Sequence, residues 1–481
     1  GRSAGTDMSG GDLTDSISLV FTKYMNKIGK ITEDTAETEP GVYYRDFEKE
    51  TLAKSNSIMP SYPASRELCA LGGMISNNSG GELTLRYGKI NQYVRELEVV
   101  LADGSHALLH PLNARELAIK EREQTFEGSI YRQIHELVSK NKETIQKAKP
   151  DVRKNSAGYA LWNVMNEETG TFDLTQLITG SQGTLALVTH AKLGLVKTKS
   201  HRAMLVAFLA DIEILPEIVK RILSCEPESF ESYDDKTFAL AVKFMPQMLK
   251  QLGLFPAIKL GISFLPDVWA VVRGGIPRLV LMAEFAEDSH EEAIEKARQA
   301  RHLLEGLHVR TRIAKSEAAA AKYWKVRRES FALLRKNIHG RYAAPFIDDI
   351  VVHPHDYPKF LPELYKIVSG HRFIYTIAGH VGDGNFHIIP LVDMNKEEDR
   401  AEIFELMPKV YELVGRYKGS ITGEHNDGII RTPYLHYMFD EQMLELFAQV
   451  KRIFDPLNIL NPGKKVGGTE AEMHRDIIKH I

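Results

Sequence analysis

The sequence predicts an α+β chain of two domains, residues 1–200 and 201–481, and three observations carry that reading. Its 481 residues are several times the length of a usual domain, which calls for two sizeable cores. The first part consists of short β-rich runs broken by glycine. The second alternates buried strand patterns with long helical ones, the texture of a layered α/β domain.

Within 1–200, "ISLVF" (17–21), "VRELEVVLADGSHALL" (94–109) and "GTLALVTHAKLGLV" (183–196) combine β-branched and apolar residues with turn signals, so each is expected as strand. "EGSIYRQIHELVSKNKETIQKAK" (127–149) carries helical spacing and reads as a helical insert. Beyond 200, "MLVAFLA" (204–210) and "RLVLMAEFA" (278–286) read as buried strands, the latter followed by the helical "SHEEAIEKARQARHLLEGL". Helices are expected at about 397–417 and 440–453, with "GSITGEHNDGIIRTPYL" between them and "FDPLNILNPGKK" after them.

Composition removes several function classes. Lys plus Arg (61) nearly balance Asp plus Glu (64), so the basic excess that a nucleic-acid backbone demands is absent and nucleic acid is not an expected partner. Two cysteines, Cys69 and Cys225, are too few for a disulfide framework, a four-thiolate zinc site or an iron–sulfur cluster. Redox chemistry therefore rests on another cofactor. The most apolar stretch, 254–272, contains Lys259, Asp267 and two prolines, so no transmembrane segment is expected. It admits two readings, a helical cover on its own domain or a peripheral membrane or partner contact. The chain opens "GRSAGT" with neither an initiator Met nor a signal-peptide n-region, and the expected location is cytoplasmic, with that peripheral contact as the variant.

Three segments are rich in small residues: "GRSAGTDMSGGD" (1–12), "LGGMISNNSGGELTLRYG" (71–88) and "GSQGTLALVT" (180–189). Such loops let backbone amides approach a polyanion, although none matches the P-loop or the dinucleotide fingerprint. Three of them in one β-rich domain point to an extended ligand touching the backbone in several places.

The segment "GHVGDGNFH" (379–387) places histidines seven positions apart around Asp383-Gly384, a strong hairpin signal. A two-residue loop would set His380 directly opposite His387, on one face and close enough to clamp a divalent cation. Two satisfied polar histidines at a strand end is the competing reading.

Taken together, "GTDMSGG", "PASRELCALGGMISNNSGGELTLRYGKINQYVRELEVVLADG", "RKNSAGY" and "GSQGTLALVT" resemble the FAD-binding domain of the vanillyl-alcohol oxidase superfamily. The likeness is greater to its D-lactate, glycolate and D-2-hydroxyglutarate dehydrogenase branch, whose later motifs match "GHVGDGNFH", "TGEH" and "FDPLNILNPGK" in order. The resemblance implies a PCMH-type FAD-binding fold followed by an α/β FAD-linked oxidase domain, with the start of the FAD domain missing because the chain begins inside the pyrophosphate loop. It implies that Gly5, Thr6, Asp7, Ser9 and Gly10 line the FAD pyrophosphate. Pro63, Ser65, Gly73, Asn77, Ser79, Gly80, Gly183, Thr184 and Val188 would surround the flavin and its ribityl chain.

The same resemblance makes Glu424 the third metal ligand beside His380 and His387, a set that suits zinc, iron(II) or manganese. A 2-hydroxy acid chelated there would have its hydroxyl acidified, with His425 as general base and the Cα hydrogen leaving as hydride to flavin. The alternative role for His425 is to orient the metal ligands. "YWKVRRESF" supplies a substrate arginine, aligned as Arg328 with Arg327 as fallback, and Asp348 and Asp349 read as structural or supporting residues. One departure is Asn426-Asp427 where the family continues with glycine, so that Asp427 is expected to raise the His425 pKa or add a metal contact, and to disfavour dicarboxylates unless neutralised. The implied activity is FAD- and metal-dependent oxidation of a D-2-hydroxy acid, with a quinone, cytochrome, electron-transfer flavoprotein or iron–sulfur protein as electron acceptor. The alternatives are a non-catalytic flavoprotein subunit of a redox complex and a non-redox flavoenzyme like alkyl-dihydroxyacetonephosphate synthase.

Overall fold

The structure is a computed structural model describing residues 1–235, 237, 275–337 and 340–477, so the apolar stretch 254–272 lies outside the described residues. Among the described residues no helix is long and apolar enough to cross a membrane. The chain divides into two units, Gly1–Thr198 with Lys418–Ile477, and Lys199–Tyr417. This differs from a single C-terminal domain over 201–481, because residues 418–477 return to the first unit. There the ring of Phe447 meets Tyr159 edge-on at 5.9 Å, and Lys451, 6% exposed, donates to the Thr184 carbonyl at 2.8 Å.

The first unit is built on a sheet of β1 (Ile28–Ile31), β2 (Thr35–Thr38), β3 (Val94–Val100), β4 (His106–Leu109) and β5 (Leu187–Gly194), in the order β1-β2-β5-β3-β4 and antiparallel throughout. The β3–β4 hairpin and β5 form where alternation and β-branching place them. "ISLVF" does not form a strand: Val20 makes one isolated bridge to Arg2. Ile17 is 84% exposed, so this apolar run has no second strand to cover it and stays irregular. The helical insert splits into Phe126–Lys140 and Lys142–Ala148, with Asn141 between them donating its side-chain amide to the Leu137 carbonyl.

The second unit contains β6 (His201–Leu209), β7 (Ser229–Asp234), β8 (Leu279–Glu287), β9 (Arg310–Ala314), β10 (Tyr342–Ala343), β11 (Ile350–Val351), β12 (Ile374–His380) and β13 (Asn385–Val392). Their order is β9-β6-β8-β7-β12-β13-β10 with β11 also on β13, and every pair is antiparallel. The central strands β6 and β8 are covered on both faces, which explains their near-continuous apolar runs. On one face Met204, Val206, Val280, Met282 and Tyr233 pack with Ala320, Tyr323 and Val326 of the helix Glu317–Asn337. The helix His290–Leu303 buries Ala293, Ala297 and Ala300, small residues that let it approach the sheet closely.

Candidate functional site

The two histidines lie on β12 and β13. In the register of that pair His380 faces Asn385, and His387 faces Ala378. The expected direct pairing of His380 with His387 across an Asp383–Gly384 loop is therefore corrected, since the turn runs from Val381 through Gly384, with Gly384 at φ +80°. The wider turn is gripped by its neighbours: Tyr357 donates to the Val381 carbonyl at 2.7 Å and the Val352 amide to the Gly384 carbonyl at 3.0 Å. Because side chains alternate with period two, a shift of two positions preserves the face, and the histidines become diagonal neighbours. Their ring centroids are 5.3 Å apart with planes at 84°, and a ligand nitrogen of each lies within 4.8 Å of the other's.

Each ring is fixed from behind. His380 Nδ1 is 2.6 Å from Oε1 of Glu231, and His387 Nδ1 is 3.0 Å from Oδ1 of Asp348, both carboxylates being buried. A carboxylate at Nδ1 stabilises the Nδ1–H tautomer and leaves the Nε2 lone pair outward, the form a metal ligand needs. By its donor chemistry the pair fits a divalent cation. Asp349, at φ +67°, accepts from the Asn385 side chain at 3.0 Å and so steadies the start of β13. Glu231 escaped the sequence reading because "SFESYD" is an ordinary strand pattern; only the pairing of β7 with β12 brings it to His380.

Of the two arginines, Arg327 Nε pairs with Oε2 of Glu231 at 3.3 Å, while Arg328 lies over the Trp324 ring at 4.5 Å. Stacking uses the face of the Arg328 guanidinium, and its N–H edge is the part that grips a carboxylate. The Trp324 indole donates to Glu284 at 3.0 Å, which fixes the platform.

In the first unit the three glycine-rich segments converge. Asn77 donates to Asp7 Oδ1 at 2.9 Å, the Gln182 side-chain amide donates to Ser9 Oγ at 3.2 Å, and the Gln182 backbone amide donates to the Ser76 carbonyl at 2.9 Å. Asp7 shapes its own loop by accepting the amides of Ser9 (2.9 Å) and Gly11 (2.7 Å). Gly5 and Gly10 hold φ +68° and +78° in that loop, which also contains Thr6. Gly183, at φ +69°, has nothing within 4 Å of where a Cβ would stand, and at Gly73 a Cβ would meet only Ser3 at 3.8 Å. This exposed backbone beside open space fits an extended ligand with a phosphate-bearing arm such as FAD.

The other implied FAD positions are distributed around the same loops. Ser65 accepts the Cys69 amide at 2.9 Å in a turn that also contains Pro63, and Ser79 accepts the Ile90 amide at 3.0 Å beside Gly80. Thr184 is buried with its hydroxyl 2.7 Å from Tyr159, and Val188 faces Val99 across the sheet.

Glu424 and His425 belong to the first unit. Glu424 Oε1 is 2.5 Å from Nζ of Lys154, which is fully buried and also donates to the Gly81 carbonyl at 3.2 Å. Lys89 binds the Gly423 carbonyl at 2.6 Å, so two buried lysines fasten "TGEH". Asp427 Oδ2 pairs with Lys465 at 2.8 Å and accepts the Gly158 amide at 2.9 Å. Burial holds the Lys465 ammonium below its usual pKa, against the opposing pull of Asp427. The Asp427 carboxylate thus has an opposite charge beside it, in a pair whose two side chains are both fully buried.

Residues 1–108 match the FAD binding domain family and residues 198–465 the family of FAD linked oxidases, C-terminal domain. The chain is 26% identical over 471 residues to D-2-hydroxyglutarate dehydrogenase of Escherichia coli, covering 96% of this chain and 45% of that protein. It thus spans just under half the length of that relative. It is 26% identical to the glycolate oxidase subunit GlcD of Bacillus subtilis (96% and 82% covered) and 27% identical to D-lactate dehydrogenase of Archaeoglobus fulgidus (97% and 85%). Solved structures with the same fold include an alkyldihydroxyacetonephosphate synthase (TM-score 0.62, 15% identical, 96% and 70% covered). Another is 4-ethylphenol oxidase from Gulosibacter chungangensis (TM-score 0.63, 16% identical, 97% and 85% covered). With a C-terminal-domain match over more than half its length and an FAD binding domain before it, the chain belongs to the FAD-linked oxidases.

Proposed function

We propose that the protein is an FAD-linked, divalent-cation-dependent dehydrogenase of D-2-hydroxy acids such as D-lactate, glycolate or D-2-hydroxyglutarate. The observation that carries the reading is the His380 and His387 pair, on one strand face and each backed at Nδ1 by a buried carboxylate. A cation there would be held by both Nε2 atoms. The names of the relatives above support the substrate class.

Arg328 binds the substrate carboxylate through its N–H edge, with Trp324 holding the guanidinium plane. His425 takes the hydroxyl proton, completing a carbonyl as the Cα hydrogen leaves with its electron pair. FAD, when bound, supplies the acceptor for that pair, and the cation acidifies the hydroxyl. The electrons then pass to a quinone, cytochrome, electron-transfer flavoprotein or iron–sulfur protein. Anaerobic stopped-flow mixing of the FAD-loaded protein with these acids tests the reading: bleaching of the visible flavin band by at least one D-acid is expected. A flavin that stays oxidised with the whole panel overturns it.

A further inference from the structure

We propose that Glu231 is the positioning residue of the cation site, one carboxylate that fixes the His380 tautomer with Oε1 and anchors Arg327 with Oε2. The inference rests on the cation reading above and extends it to a residue on a separate strand.

Glu231 stands on β7 opposite Met282, on the sheet face formed by Met204, Val206, Tyr233 and Met282, and it is 1% exposed. A carboxylate in such surroundings persists as an anion when charged or hydrogen-bonding partners compensate it. His380 Nδ1 at 2.6 Å and Arg327 Nε at 3.3 Å are two such partners, one on each oxygen. The arrangement has two consequences. The His380 proton is held at Nδ1, so Nε2 is the nitrogen presented to a cation. Arg327 Nε is drawn to the second carboxylate oxygen, which ties the helix Glu317–Asn337 to the same residue that backs His380.

The test is Zn2+ affinity and imidazole tautomer in the full-length protein, for the wild type and for E231Q, E231A, R327Q and H380A. In E231Q and E231A the dissociation constant for Zn2+ should rise about 10–100-fold, the usual cost of losing a carboxylate behind a ligand histidine. R327Q, which leaves Oε1 on His380, should weaken Zn2+ less than either. In 15N spectra of histidine-labelled protein, His380 should show protonated Nδ1 and bare Nε2, and that signature should be lost in E231A. E231Q, similar in shape and uncharged, keeps the test open if E231A does not fold. Zn2+ binding lost in H380A but unchanged in both Glu231 variants overturns this inference alone. Zn2+ binding retained in H380A overturns the cation reading beneath it.

Discussion

His387 faces Ala378, and His380 faces Asn385, so the two imidazoles stand diagonally on one face of the β12–β13 pair. That diagonal depends on the width of the turn, and the turn depends on Gly384. A Cβ at Gly384 would lie 1.9 Å from the Val352 carbonyl oxygen, at a φ of +80° that L side chains rarely adopt. G384A should therefore cost on the order of 2 kcal/mol or more in urea unfolding and weaken Zn2+ binding at the same time. Unchanged stability would show that the turn relaxes and does not set the histidine geometry.

Lys154 and Glu424 form a buried ion pair with relative exposures of 0% and 6%. Removing one partner leaves a buried charge, so K154M should lose about 3–5 kcal/mol, and the K154M/E424Q double variant should recover most of it. Urea midpoints of the single and double variants check this. Additive losses would mean that the two residues act independently.

Asp455 supplies a pH dependence. Burial pushes its carboxyl up, but the Lys451 ammonium and the amides of Leu460 and Ile459 outweigh burial and hold its pKa below the usual range. A depressed carboxylate pKa contributes stability that is complete above the unfolded value and is lost as pH falls through the folded one. The stability difference between wild type and D455N should thus be constant from neutrality down to about pH 5 and shrink below about pH 4. A difference that grows on acidification would contradict the assignment.

The two arginines make different contacts, Arg327 with Glu231 and Arg328 with the Trp324 ring, and the proposed substrate role falls to Arg328. R328A should lower kcat/KM for a D-2-hydroxy acid about 10–100-fold, the worth of a charged hydrogen-bonded pair of about 1.5–3 kcal/mol. R328K should not restore it fully, since an ammonium lacks the planar fork. Steady-state kinetics with wild-type values in R328A would move the role elsewhere.

Much of this site was legible in the sequence, and the rest was hidden for identifiable reasons. The face shared by His380 and His387 follows from strand alternation, which survives an error of two in register. The register itself does not follow, because Asp383-Gly384 signals a tight turn while the contacts that widen it, from Tyr357 and Val352, come from outside the hairpin. Glu231 and Lys154 become partners of His380 and Glu424 through folding across 149 and 270 positions, and nothing local marks them. The partner of Asp427 is hidden for the same reason: beside His425 in sequence, it pairs with Lys465 in the fold. The convergence of the glycine-rich loops was legible because small residues at positive φ carry their own signal.

The most direct test of the account is the cation dependence of flavin reduction in a single preparation. The FAD-loaded protein is treated with a chelator, mixed anaerobically with a D-2-hydroxy acid that bleaches it, and then resupplied with Zn2+, Mn2+ or Fe2+. The account predicts that chelation abolishes bleaching, that one of the three cations restores it, and that none restores it in H387A. Full bleaching by the chelated wild type, confirmed free of metal, would contradict the account.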